Sequence, residues 1–332
     1  MDPIFKNYVV SFQLGRGRRH KNMAVFPIIT SLDGGPDYMT LKEALEKSVI
    51  AITEVSESGS VPNLKVSNKA GIPVLLLDGE ELAGAKQNRV LNTTILVKEG
   101  TEVVIPVSCT ERGRWTYDSR EFHESGNLMA PKMRTMNRQA VAASLASSRQ
   151  FRSDQGAVWE GIDAMAVDAE ARSRTSAMKD VFEAKKTDLD AYMKAFDCET
   201  HQRGLLVLIG DEVVGFDFVS REKAFAALFP KLIKSYAMEA WLESRKPGAK
   251  IDARNGEDTP KAKAFLLSVE GCEQKMYDSV GLGRDVRFNG TGVVGSALMV
   301  EDKLIHMAIF AAGEGEKAGS MAGAGMRRSF RL

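Results

Sequence analysis

Cysteine is scarce in this chain: three residues in 332, Cys109, Cys198 and Cys272, far apart and without a CxxC pair. An odd, scattered set excludes a disulfide framework and suits reduced thiols in a cytoplasmic compartment. Histidine is as sparse. His20, His123, His201 and His306 show no metal-ligand spacing, so no metal is expected. No stretch approaches the roughly 18 consecutive apolar residues of a membrane span, and residues 1–13 lack the long apolar region of a secretory signal. An excess of either charge is missing too. The 45 Lys and Arg against 44 Asp and Glu leave +1, without the domain-wide basic surplus of a nucleic-acid binder. The phosphate loop GxxxxGK[ST] and the elbow GxSxG are absent, and GRGRRH (15–20) and GLGRDV (281–286) each miss the third glycine of a dinucleotide fingerprint. No cofactor is expected.

What is present is a globular composition, 44% apolar and 27% charged, long enough for two domains or one composite domain. Short apolar runs broken by turn residues alternate with helical stripes. They predict an α+β fold, an antiparallel β-rich scaffold of meander or sandwich type with helices from the middle and C-terminal parts packed on it. Residues 1–125 read as a β-rich N-terminal part, 126–203 as a helical middle section, and 204–312 as hairpins and helices sharing the core. The Gly/Ala-rich residues 313–332 read as a disordered tail.

Local signals are specific. Thr40 and Glu43 form a T-x-x-E capping box before a short helix. Residues 61–109 read as a β-meander, with Asp78 and Gly79 as a type I′ hairpin turn. Residues 126–155 read as an exposed connector followed by helix. Val158, Trp159, Ile162 and Met165 form a core-facing stripe. Further hairpin turns fall at Gly210 and Asp211 and near Glu301 and Asp302. Ser220 is expected to cap the helix between them, and Pro230 to kink or restart it.

The densest polar constellation lies in residues 79–115. Glu80 and Glu111 are candidate acid–base residues if their surroundings shift their pKa values. Arg89 and Arg114 offer forks for a phosphate or carboxylate. Gln87, Asn88 and Asn92 offer carboxamides for ribose or base edges, and Trp115 offers a stacking face. Cys109 is a possible thiol nucleophile, although it shares strand parity with Val103, Ile105 and Val107, as a core residue would. The competing reading makes the whole cluster structural, its carboxamides and ion pairs satisfying strand ends. His306, in the apolar run LIHMAIF, reads as a core histidine. Two basic clusters, Arg16 to Lys21 and Arg327, Arg328 and Arg331, can touch phosphates but read first as solvated surface.

The segment SVPNLKVSNKAGIPVLLLDGEELAGAKQNRVLN, followed by IPVSCTERGRW, resembles the bacterial family of ADP-ribosylglycohydrolase- and rhodanese-phosphatase-associated proteins, formerly a domain of unknown function. GLLVLIGDEVVGFDFVSREKAF and LIHMAIF are similar to its C-terminal half. The family pattern falls on Gly79, Glu80, Gln87, Asn88, Arg89, Asn92, Cys109, Glu111, Gly113, Arg114 and Trp115. The resemblance implies handling of an ADP-ribose-like, nucleotide or other phosphorylated ligand. The polar residues themselves are read as a recess that binds such a ligand, with hydrolysis as a further expectation. The alternative is a non-enzymatic interaction or scaffold protein.

Overall fold

The computed structural model describes residues 3–249 and 258–312; the tail expected to be disordered, 313–332, lies outside the described residues. A nine-stranded antiparallel sheet forms the centre. Its order runs Gln13–Leu14, Met23–Ile29, Gln202–Ile209, Glu212–Val219, Lys303–Ala311, Val293–Val300, Arg284–Gly290 and Glu273–Asp278, with Arg18–His20 also paired to Met23–Ile29. The strands are buried on both faces because helices cover both. Leu205, Val207 and Val219 meet the helices Pro131–Ser148 and Glu222–Ser244 on one side. Leu206, Leu208, Phe216 and Phe218 meet Pro3–Ser11 and Asp258–Ser268 on the other. The edge of the Phe5 ring against Phe288, centroids 5.1 Å apart, anchors the N-terminal helix.

A six-stranded antiparallel sheet, ordered Phe122–Leu128, Glu80–Gly84, Arg89–Leu91, Glu102–Cys109, Asn63–Asn68 and Ile50–Glu54, stands beside it. With it stands a three-stranded sheet of Ile95–Val97, Val74–Leu76 and Met39–Thr40. The two share a core of Leu64, Val66, Leu76, Leu91 and Ile105. The architecture is α+β with a β-rich, mostly antiparallel scaffold.

Several local expectations need correction. The meander of 61–109 is two interleaved sheets, because Val74–Leu76 pairs with Ile95–Val97 and not with the strand that follows it. Asp78 and Gly79 therefore make no hairpin. Glu80 N–H donates to Leu77 O at 3.1 Å and Gly79 takes φ +82°, a turn that passes the chain from one sheet to the other. The polar partners of Asp78, described below, hold it there. The helix expected within 126–155 forms over Pro131–Ser148, but the stretch before it is no exposed connector: Asn127 to Ala130 are buried, and the helix buries Met133, Arg134, Arg138 and Val141. Ser220 does not cap; the N-cap is Arg221 without a side-chain bond, while the Ser220 hydroxyl meets Tyr38 OH at 2.9 Å. Pro230 lies within a single helix, Glu222–Ser244. The Thr40 capping box forms in both directions, Glu43 N–H to Thr40 Oγ1 at 3.3 Å and Thr40 N–H to Glu43 Oε2 at 3.0 Å. The hairpins at 210 and 301 also form, Glu301 and Asp302 taking the positive φ of 49° and 60° that their turn requires.

Candidate functional site

Strand register brings Arg89 opposite Cys109, and the adjoining turn adds Gln87. The Gln87 Oε1 accepts from Arg89 Nη1 at 2.9 Å and lies 3.3 Å from Cys109 Sγ. Glu54, at the end of Ile50–Glu54, places Oε1 4.0 Å from Arg89 Nη2. Arg89 is fully buried and Glu54 is 7% exposed, yet Arg89 Nε and Nη2 and both Glu54 oxygens have no hydrogen-bond partner. Trp115 covers this cluster. Its ring centroid lies 5.6 Å from the Arg89 guanidinium carbon, and the residue is 45% exposed. Lys86 lies over the Trp115 and Tyr117 rings, at 5.5 and 5.0 Å. Burial, more than any neighbour, pushes the Cys109 thiol up, so it rests as a neutral thiol donating to Glu111 O at 3.1 Å.

Asn88, Glu111 and Arg114 form a separate lock. Glu111 Oε2 accepts from Arg114 Nη2 at 2.6 Å, Arg114 Nε at 3.0 Å and Asn88 N–H at 3.1 Å; Oε1 accepts from Thr175 Oγ1 at 2.8 Å. Desolvation pushes this carboxyl up, but the bonds from Arg114, Asn88 and Thr175 outweigh it and hold Glu111 below the usual range. Arg114 also donates to Gly84 O, Ala85 O, Thr116 O and Asn88 Oδ1, which fills its fork. Gly113 completes the lock: its N–H donates to Thr175 O at 2.8 Å, and a Cβ there would lie 2.8 Å from Thr175 Cα. The motif E-x-GRW thus pins loop 111–115 to residues 175–177.

Glu80 and Asn92 do not join the Arg89 cluster. Glu80 accepts from Leu77 N–H at 2.6 Å and from Lys231 Nζ at 2.5 Å, and Lys231 also pairs with Glu124. Desolvation, only partly opposed by Lys231, pushes the Glu80 carboxyl up. Asn92 accepts from Ser108 Oγ at 2.7 Å and donates to Phe151 O at 3.1 Å, tying a strand end to the loop before the next helix. The expected single recess is therefore divided. Gln87, Arg89, Cys109 and Trp115 share the cluster, Asn88, Glu111 and Arg114 form the lock beside it, and Glu80 and Asn92 belong to other contacts.

Sequence reading missed Glu54 and a larger ionic network where the sheets meet. Arg134 forks onto Asp217 at 2.9 and 2.5 Å, and Tyr236 OH donates to the same carboxylate at 2.8 Å. Arg138 Nη2 stands 2.5 Å from Asp78 Oδ2, and its Nε donates to Ser296 Oγ at 3.0 Å. Thr94 Oγ1 lies 2.9 Å from His306 Nδ1 and 3.1 Å from Asp78 Oδ1. Thr93 and Arg287 meet Asp285 in the same seam, Thr93 Oγ1 at 2.7 Å. The i, i+4 pair Arg134 and Arg138, in line with Met133, Asn137 and Val141, was the available signal. Among the described residues, no group of three or more His, Cys, Asp or Glu could hold a metal ion.

Fold and site together define an α+β protein of two fused β systems, with a buried polar cluster around Arg89 in the smaller one. The chain belongs to the ARG and Rhodanese-Phosphatase-superfamily-associated Protein (ARPP-1) family, whose domain matches residues 11–310. The family name links it to ADP-ribosylglycohydrolase and rhodanese-phosphatase neighbours. No curated protein and no solved structure matches the chain. Among the described residues, no helix is long and apolar enough to cross a membrane.

Proposed function

We propose that this protein binds a ribose-phosphate ligand of the ADP-ribose type at the cluster of Arg89, Glu54 and Gln87, beneath Trp115. One observation carries the reading: a fully buried guanidinium with two unpartnered nitrogens faces a buried carboxylate with two unpartnered oxygens. The two charges pair at 4.0 Å, but each buried N–H or oxygen left without a hydrogen bond costs about 1–3 kcal/mol. A ligand that offers a phosphate to Arg89 and hydroxyls to Glu54 matches both, and Trp115 supplies a face for a base. Entry requires the half-exposed Trp115 side chain to turn away from Arg89 while the loop stays pinned.

Binding is better supported than hydrolysis. Glu111 is held ionised by Arg114 and so is no general acid near neutrality, while Cys109 is held protonated by burial. The rival reading, an interaction or scaffold protein, is favoured by the filled fork of Arg114, whose partners all belong to the fold.

Thermal melting against ADP-ribose, NAD, nucleotides and sugar phosphates tests the proposal. A ligand at 100 times its dissociation constant contributes about 2.7 kcal/mol, and Trp115→Ala, at an exposed ring, is expected to weaken that gain without unfolding the protein. No stabilisation by any of these compounds would overturn the reading and favour the scaffold.

A further inference from the structure

A groove at the opposite end of the chain's first β-run takes no part in that cluster. Residues 13–20 form an edge of the nine-stranded sheet in two pieces, Gln13–Leu14 and Arg18–His20, both paired to Met23–Ile29. Residues 15–17 bulge between them. Gly17 lies so flat on Phe26 that a Cβ would come within 2.5 Å of the ring. The bulge, Lys21 and the start of the helix Asp258–Ser268 enclose a groove of about 800 Å³.

Charge in this groove is one-sided. Among the described residues that line it, Arg16, Arg18, Arg19 and Lys21 face one carboxylate, Asp258. That carboxylate is committed to Arg19 Nη2 at 2.7 Å, and Arg19 is braced further on Gly210 O. Arg18 reaches Asp197 and Glu199 only at 3.6 and 3.4 Å, with its own side chain 49% exposed, a pairing worth little in water. Arg16 forms no ion pair with any described residue, and the Lys21 ammonium lies 5.0 Å from the Tyr192 ring centroid. Such a concentration of one sign in a concave, partly walled space raises the local concentration of anions.

We propose that this groove binds a small, multiply charged phosphate compound, a diphosphate or a phosphate ester of nucleotide size, with Arg16, Arg18 and Lys21 as its contacts and Arg19 positioned by Asp258. The volume lies within the range of small-ligand sites. The near-neutral whole chain, +1, disfavours a nucleic-acid track. Charges on an edge strand also block unwanted sheet pairing, but that role needs neither a groove nor a diphosphate.

Titration calorimetry with inorganic pyrophosphate is the test. The expected result is one site whose affinity falls as salt rises, falls about tenfold or more in Arg16→Gln/Arg18→Gln, and is unchanged in Trp115→Ala. The unchanged arm separates this groove from the Arg89 cluster. Should the double variant melt early, Lys21→Gln supplies the same comparison. Absence of pyrophosphate heat, or full affinity in the substituted proteins, would overturn the proposal. So would binding of a single-stranded oligonucleotide without binding of pyrophosphate, or self-association of the double variant with pyrophosphate affinity intact.

Discussion

Asp217→Ala is the sharpest probe of what joins the two β systems. Asp217 is 0% exposed, takes both Arg134 bonds and the Tyr236 hydroxyl, and has His306 Nε2 at 3.8 Å. Removing one member of a buried pair costs about 3–5 kcal/mol, because the other charge stays behind unmatched. The lower end is expected here, since Asp78 Oδ1 stands 3.8 Å from Arg134 Nη2 and takes up part of the charge. At about 2.1 cal/mol/K of unfolding entropy per residue, a chain of 332 residues loses roughly 1.4 °C per kcal/mol, so melting falls by about 4 °C. Removing both charges in Asp217→Leu/Arg134→Met is expected to recover much of the loss. The pH sign is fixed by direction. Desolvation pushes Asp217 up, but Arg134 and His306 more than offset it and hold its pKa well below the usual value. Its contribution is therefore present above the unfolded carboxylate pKa of about 3.9 and is lost only as pH falls through the lower folded value. Differential scanning calorimetry at neutral pH and in mild acid measures both. A melt within about 2 °C of the parent protein, or a difference that vanishes before the pH reaches the unfolded carboxylate range, would refute the reasoning.

Three further outcomes follow from the same contacts. Lys231→Met leaves Glu80 and Glu124 facing each other, so urea denaturation is expected to show a deficit at neutral pH that narrows in mild acid, where one carboxylate binds a proton. Burial pulls the Lys231 pKa down, but Glu80 and Glu124 more than offset it, so its own titration removes the contribution at the other end of the scale, as alkali carries pH through the raised folded value. Glu111→Gln is expected to cost about 1–3 kcal/mol in the same assay by stranding Arg114; because the Glu111 pKa is lowered, that cost is present above the unfolded glutamate value and shrinks below it. Iodoacetamide on the native protein at neutral pH, read by mass spectrometry, is expected to label the half-buried Cys198 before Cys109 or Cys272. Prompt labelling of Cys109 would restore thiol chemistry as a candidate.

The legible parts of this fold were the local ones. Thr40 with Glu43, Gly210 with Asp211, and Glu301 with Asp302 carry their own backbone preferences, and each forms the cap or turn its residues require. His306 also sits where its apolar strand put it, in the core at 0% exposure. Strand partners were not legible, because alternation assigns a face and not a neighbour. Nothing in MAVFPII says that it pairs with Gln202–Ile209. Asp78 looked like a turn residue because its partners, Arg138, Thr94 and His306, come from other elements. Glu54 was invisible for the opposite reason: it ends an alternating strand, where a carboxylate normally reaches water, and only folding sets it beside Arg89. The polar density of residues 79–115 marked a set of buried polar side chains, of which Glu80 and Asn92 serve contacts apart from Arg89.

Trp115 offers the most direct measurement of the ligand proposal. The chain has three tryptophans, so Trp159→Phe/Trp241→Phe leaves Trp115 as the only indole emitter. Titrating ADP-ribose into that protein is expected to give a saturable change in emission as the ring leaves its place over Arg89 and meets the ligand. An unchanged spectrum, under conditions where melting shows ADP-ribose bound, would place the ligand elsewhere and contradict the account.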